Sequence, residues 1–148
     1  MADIRHRVGI STPQGRVFAA LATPSGLATR WTRTLGGDPH PGGRLSIYFC
    51  GAAPGAVMEV VEEVASERIV RRCVDGVAQW VGTALTSTLR TSGDETVLMF
   101  THADWREPVE FMHNCGTKSA YFLLGLKRRL EGGPSTLYPD DAPISEWG

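Results

Sequence analysis

The feature that constrains this chain most is a change of hydrophobic period at Pro108. Before it, apolar side chains recur mostly at every second residue. After it, Cys115, Ser119, Phe122, Leu126 and Leu130 recur at steps of four, three, four and four, with Leu123 alongside. A period of two sends alternate side chains to opposite faces of a half-buried strand, whereas steps of three and four draw one stripe along an α-helix. The chain is therefore expected to be a run of antiparallel strands followed by one continuous helix over residues 114–131, closed by Gly132-Gly133-Pro134. Arg128 and Arg129 near its end suit the helix dipole.

The first strand follows from Ile4, His6, Val8 and Ile10 alternating with Arg5, Arg7 and Gly9. Ser11-Thr12-Pro13 then caps a short helix carrying Val17, Phe18, Ala20 and Leu21, and Pro24-Ser25 opens a second that ends near Trp31. Gly36, Gly37, Pro39, Pro41, Gly42 and Gly43 break all periodicity, so that segment is expected to be a loop. Alternation returns at Arg44 and runs to Gly51, with Leu45, Ile47 and Phe49 on one face. It continues through 56–64, 69–74, 83–89 and 96–102. The resulting class is α+β: two short helices after the first strand, about five further strands, and a long helix closing one core with the sheet.

The 148 residues, 42% of them hydrophobic, suffice for a single domain over 1–148 without disulfides or a structural metal. Fifteen Lys+Arg against sixteen Asp+Glu leave a formal charge of −1, which offers no field for nucleic acid. No stretch reaches the ~18 apolar residues of a spanning helix, and no apolar run follows Met-Ala-Asp-Ile-Arg-His-Arg, so a cytoplasmic protein without membrane insertion is expected. Cys50, Cys73 and Cys115 are odd in number and far apart, which points to reduced, buried thiols.

Three strings in order carry a resemblance: Trp80-Val81-Gly82-Thr83, then Thr96 through Trp105 with His102 three residues before the tryptophan, then Cys115 at the head of a helix ending Leu130-Glu131-Gly132. Gly26-Leu27-Ala28, Trp31-Thr32 and Tyr138-Pro139-Asp140-Asp141 add to it. Together they resemble the START-like (SRPBCC) helix-grip superfamily, in the small bacterial branch named after the activator of a heat-shock chaperone ATPase. The resemblance implies a curved antiparallel sheet gripping the C-terminal helix around an interior cavity. Such cavities serve for lipids, sterols, polyketides and other small molecules, in carriers, cyclases and co-chaperones. Relatives commonly carry tryptophan at the positions of Arg30, Arg71 and Ser119 and phenylalanine at that of Ser87. The resemblance thus places two hydroxyls where bulky plugs would sit, one on a strand and one on the helix. Removing an aromatic from a core costs about 3–5 kcal/mol unless neighbours collapse or something else fills the space.

The expected function is binding of a small apolar or amphipathic molecule between sheet and helix, without catalysis or cofactor. Its expected lining is Trp31, Phe49, Met58, Trp80, Ser87, Phe100, His102, Phe111, Cys115, Ser119 and Phe122. His102 shares a strand face with Leu98 and Phe100, so it is expected to be buried and neutral, with His6 and His40 exposed. Arg71 lies on the face of Ile69 and Cys73, where an inward guanidinium needs a carboxylate or a ligand anion to offset its desolvation, and a pair with a neighbouring glutamate is the expected arrangement. His102-x-Asp104 and His113-x-Cys115 hold suitable metal donors at spacings that are not diagnostic, and no metal site is expected. One alternative is an aromatase/cyclase- or dehydratase-like enzyme in which His102 moves a proton, which needs a second inward acid or base. Another is an interaction protein stimulating a chaperone ATPase, for which the chain lacks room for the extra N-terminal domain of such activators. A homodimer is left open.

Overall fold

The computed structural model describes residues 2–22, 35–38, 40–47 and 55–133. Its elements are β1 (Ala2–Ile10), α1 (Gln14–Ala22), β2 (Leu35–Gly37), β3 (Arg44–Ile47), β4 (Ala56–Val64), β5 (Arg68–Gly76), β6 (Ala84–Ser92), β7 (Glu95–Trp105) and α2 (Glu110–Leu130). Among the described residues the strands form one antiparallel sheet in the order β1-β7-β6-β5-β4-β3-β2. The second short helix expected near Trp31 lies outside the described residues.

Two expectations are corrected. The glycine-rich stretch is not all loop, because Leu35–Gly37 pairs with β3 as a short edge strand. Gly37 permits this. Its φ is 102°, and a Cβ there would collide with the carbonyl of Arg44. The long helix starts at Glu110, not at 114, and this puts Cys115 in the second turn and not at the head. Pro108 disfavours helical backbone in the residue before it, and Val109 caps the helix in an extended conformation. Glu110 then suits the positive end of the dipole. The helix continues through Gly116 and Gly125 without a break.

Strand register sets out the inner face in rows. One row runs from Val60 through Arg71, Leu85 and His102 to Ile4, and the next from Ile69 through Ser87 and Phe100 to His6. Buried apolar residues on this side form two clusters. The larger joins Ile10, Val17, Leu21, Ile69, Leu89, Leu98 and Phe100 to Leu123 and Leu126 of α2. The smaller, on β3 to β5, contains Leu45, Ile47, Ala56, Met58 and Cys73, with Trp80 packed against it. Leu85 touches both clusters. The C-terminal end of α2 is tied down by Lys127 Nζ donating to Gly9 O (2.8 Å) and by Thr12 Oγ1 donating to Leu130 O (3.0 Å).

Candidate functional site

At the end of the sheet nearest the start of α2, a bulge decides what points inward. Alternation along β7 puts Leu98, Phe100 and His102 on the inner face, so Asp104 would be next. Instead Asp104 takes φ 69°, its N–H bonds Asp3 Oδ1 at 3.2 Å, and the pairing with β1 slips between Ala2 and Ile4. Trp105 is thereby turned into the interior, where it is 1% exposed. Its ring lies 4.9 Å from that of His102 and 6.2 Å from that of Phe111. On the other side of His102 stands Trp80, edge-on at 5.4 Å. The Trp80 indole N–H donates to Cys115 Sγ at 3.4 Å, which joins this aromatic group to α2.

The polar partners fix the protonation of His102. Thr83 spends its hydroxyl proton on the carbonyl of Trp80 (2.5 Å), so its oxygen can only accept from the imidazole Nε2 at 2.7 Å. His102 is therefore the Nε2–H tautomer. It is 3% exposed, and burial depresses its pKa from 6.5 to about 4, so it is uncharged at neutral pH. Burial also pushes the Cys115 thiol up to about 11, against the opposing effect of the Trp80 bond, which keeps it protonated and a poor nucleophile. A base with a pKa near 4 is weak at pH 7, and a thiol near 11 is weakly acidic.

A second polar node lies one turn along α2. His6, on the inner face of β1, stacks on Phe100 at 6.1 Å and places Nε2 3.0 Å from both Gly116 O and Ser119 Oγ. A carbonyl only accepts, so Nε2 carries the proton in this node, and Ser119 donates its own proton to the same carbonyl at 3.0 Å. The imidazole thus clips β1 to the helix. It cannot serve as the base for Ser119 in this arrangement.

The model of the family described as activator of Hsp90 ATPase homolog 1-like protein matches residues 11–131. The chain belongs to that family. No curated protein matches it. Among solved structures, the Aha1 dimer from Colwellia psychrerythraea is 31% identical with a TM-score of 0.80, covering 90% of this chain and 98% of that one. CalU16 from Micromonospora echinospora is 22% identical with a TM-score of 0.73 (90% and 76% covered). An AHSA1-like protein from Rhizobium etli is 20% identical at 0.71 (98% and 91% covered). These likenesses establish the helix-grip arrangement of sheet and long helix.

Within this Aha1-like fold the expected lining residues do not all converge. Trp31 and Phe49 lie outside the described residues. Trp80, His102, Phe111 and Cys115 share the aromatic group around Trp105, while Phe100 and Ser119 meet at His6. Ser87 sits opposite Phe100 in register and is 8% exposed. Met58 belongs to the smaller cluster, and Phe122 packs edge-on to Tyr121 beneath Lys118. Cys73 and Cys115 are free thiols, the first buried and the second half-buried. A depression of about 190 Å3 opens elsewhere, between the start of α1 and the β6–β7 turn, and none of the expected lining residues borders it.

Two expectations about charged groups change. His40 is exposed beside Asp38, but His6 is not an exposed control; the alternation of β1 puts it inside with Ile4 and Val8. Arg71 is buried, and among the described residues no glutamate bonds it: its guanidinium donates to the carbonyl of Leu21 at 2.6 Å, near the end of α1. Sequence reasoning also missed Trp105, which only the bulge turns inward, and Thr83, which holds the His102 tautomer.

Proposed function

We propose that this chain binds a small, largely apolar molecule between the inner face of the sheet and the first half of α2, and does not transform it. The observation that carries this reading is the contrast along the helix. Phe122, Leu123 and Leu126 are buried, whereas Phe111, Met112, Cys115 and Ser119, on the same side one to three turns earlier, are only half-buried. Leu123 and Leu126 join the larger apolar cluster, but no α2 residue joins the smaller one. A helix that seats its second half and leaves its first half half-covered, opposite Ser87, Phe100 and His102, borders space suited to a ligand. The fold of the Aha1-like family, shared with CalU16, is consistent with such a role.

Native mass spectrometry of freshly purified protein, followed by titration with decan-1-ol under NMR, tests the proposal. A co-purified mass lost on denaturation, or decanol shifts at Phe100, Phe111, Cys115 and Ser119, supports it. A bare chain together with no shifts at those residues overturns it. A cytoplasmic, single-domain protein completes the reading. Because the Colwellia relative is a dimer, a homodimer belongs to it as well, with sedimentation as its test.

A further inference from the structure

Arg71 is the one strongly basic side chain that the described interior buries, at 8% exposure on the inner face of β5. Guanidinium groups in such places normally meet a carboxylate, because removing an unpaired charge from water is costly. Here Nη2 meets only the neutral carbonyl of Leu21, and Nε finds no acceptor among the described residues. Glu63, half-buried on β4, attracts the cation from a distance without bonding it. Burial lowers the Arg71 pKa to about 10, so the group stays charged at neutral pH.

The position of this cation matters as much as its isolation. Arg71 stands in the sheet row that continues through Leu85 to His102 and Ile4. The far end of that row faces the first half of α2: His102 flanks Trp80, which bonds Cys115, and Ile4 lies beneath Gly116. Ser87 is the diagonal neighbour of Arg71 on the same face, about 7–8 Å away. The row therefore offers apolar contact at Leu85 and the aromatic group and one fixed positive charge on β5, with the Ser87 hydroxyl in the adjacent row on β6.

We infer that the molecule bound between sheet and helix is amphipathic and anionic, and that its carboxylate is received by the Arg71 guanidinium through Nε–H, with Ser87 beside it. This rests on the binding reading given above and narrows it to acids with an apolar body. Guanidinium is suited to the task because its planar fork matches a carboxylate and it is never neutral near pH 7. The bond to Leu21 holds the fork in place. It also ties the cation to the negative end of α1, which offsets part of the cost of burial while no ligand is bound.

The test compares decanoate with decan-1-ol, which share an apolar chain and differ in the head group, by calorimetry on the intact protein at pH 7.4. Decanoate is expected to bind roughly tenfold more tightly or better. The Arg71 Nε–H resonance, assigned from the spectrum of Arg71→Lys, should shift downfield with decanoate and stay in place with decanol. In folded Arg71→Met the preference should fall to about twofold or less, with decanol affinity retained. Equal binding of acid and alcohol by the wild-type protein overturns the inference and leaves the binding reading standing. An acid preference that leaves the Arg71 Nε–H resonance unmoved, or that survives in Arg71→Met, overturns the assignment to this side chain. Binding of neither probe overturns both readings. The wild-type affinities and the Nε–H shift need no variant, so instability of Arg71→Met does not remove the test.

Discussion

Acidification should destabilise the fold through His102 in particular. In the folded chain burial holds this imidazole at a pKa of about 4, against 6.5 when it is free in water. Each step of one in pKa is worth about 1.4 kcal/mol, so the difference amounts to about 3 kcal/mol. The unfolded chain takes up the proton first, because its pKa is the higher one. Stability from this group is therefore whole above pH 6.5, declines between 6.5 and 4, and changes no further below 4. Set against the 5–15 kcal/mol that holds a typical domain together, that is a large share. The carboxylates of Asp3, Asp38 and Glu131, each held low mainly by a hydrogen bond, also lose stabilising interactions in acid, but as their own folded pKa values are crossed.

His102→Gln isolates the histidine contribution, since a glutamine amide can still donate to Thr83 Oγ1 and does not titrate. Urea unfolding of both proteins at pH 7 and pH 4.5 gives two pairs of free energies. The variant begins less stable, because it loses ring contacts with Trp80 and Trp105. The wild type should then lose about 2–3 kcal/mol more than the variant on acidification. An equal loss in the two proteins, or an imidazole that titrates near 6.5 by NMR, refutes the buried and neutral assignment.

Other consequences can be measured with single substitutions. Thr83→Val leaves the His102 Nε2–H buried without its acceptor and should cost about 1–3 kcal/mol in urea unfolding; a neutral result would show that the bond is not made. His6→Ala and Ser119→Ala should couple by about 0.5–1 kcal/mol in a double-mutant cycle, and strictly additive effects would mean that the two side chains do not bond each other. Ser119→Trp exchanges that hydrogen bond, worth about 1 kcal/mol, for apolar burial at about 25 cal/mol per Å2. It should raise Tm while weakening decanol binding, and a lowered Tm with binding unchanged would mean that the space beside Ser119 is already filled.

The parts of the fold legible in the sequence are those in which one period persists over many residues. Six of the seven described strands and the whole second half of α2 keep their alternation or stripe long enough to be read, and the structure places them within a few residues of the expected bounds. β2 had no such signal: it has three residues, two of them glycine, and exists because Gly37 can pass close to the Arg44 carbonyl. The first turn of α2, Glu110 to His113, lay outside the expected helix although Phe111, four residues before Cys115, already continues the stripe; the chain entry at Pro108 and Val109 marks its start. Trp105 illustrates a different limit. A strict period of two makes it outward-facing, and a single left-handed residue, Asp104, reverses that. His6 shows the converse, since the alternation of β1 already put it inside, and its polarity was the weaker guide.

Protonation states explain why holding a ligand fits this interior better than turning one over. A proton-transfer site needs a group that changes charge near its working pH, ideally beside a second group that changes in the opposite direction. Among the described residues on the inner face, His102 lies well below neutrality and Cys115 well above it, and each spends a polar atom on a protein partner. His6 spends its Nε2–H on a carbonyl and so presents no base to Ser119. Arg71 remains charged and only partly bonded, which makes it a fixed electrostatic anchor with no proton to give up near pH 7. On the proposed reading, the row from Arg71 to His102 contributes position, polarity and one charge to the recognition of a head group, and among the described residues it holds no pair of groups poised for proton transfer near pH 7.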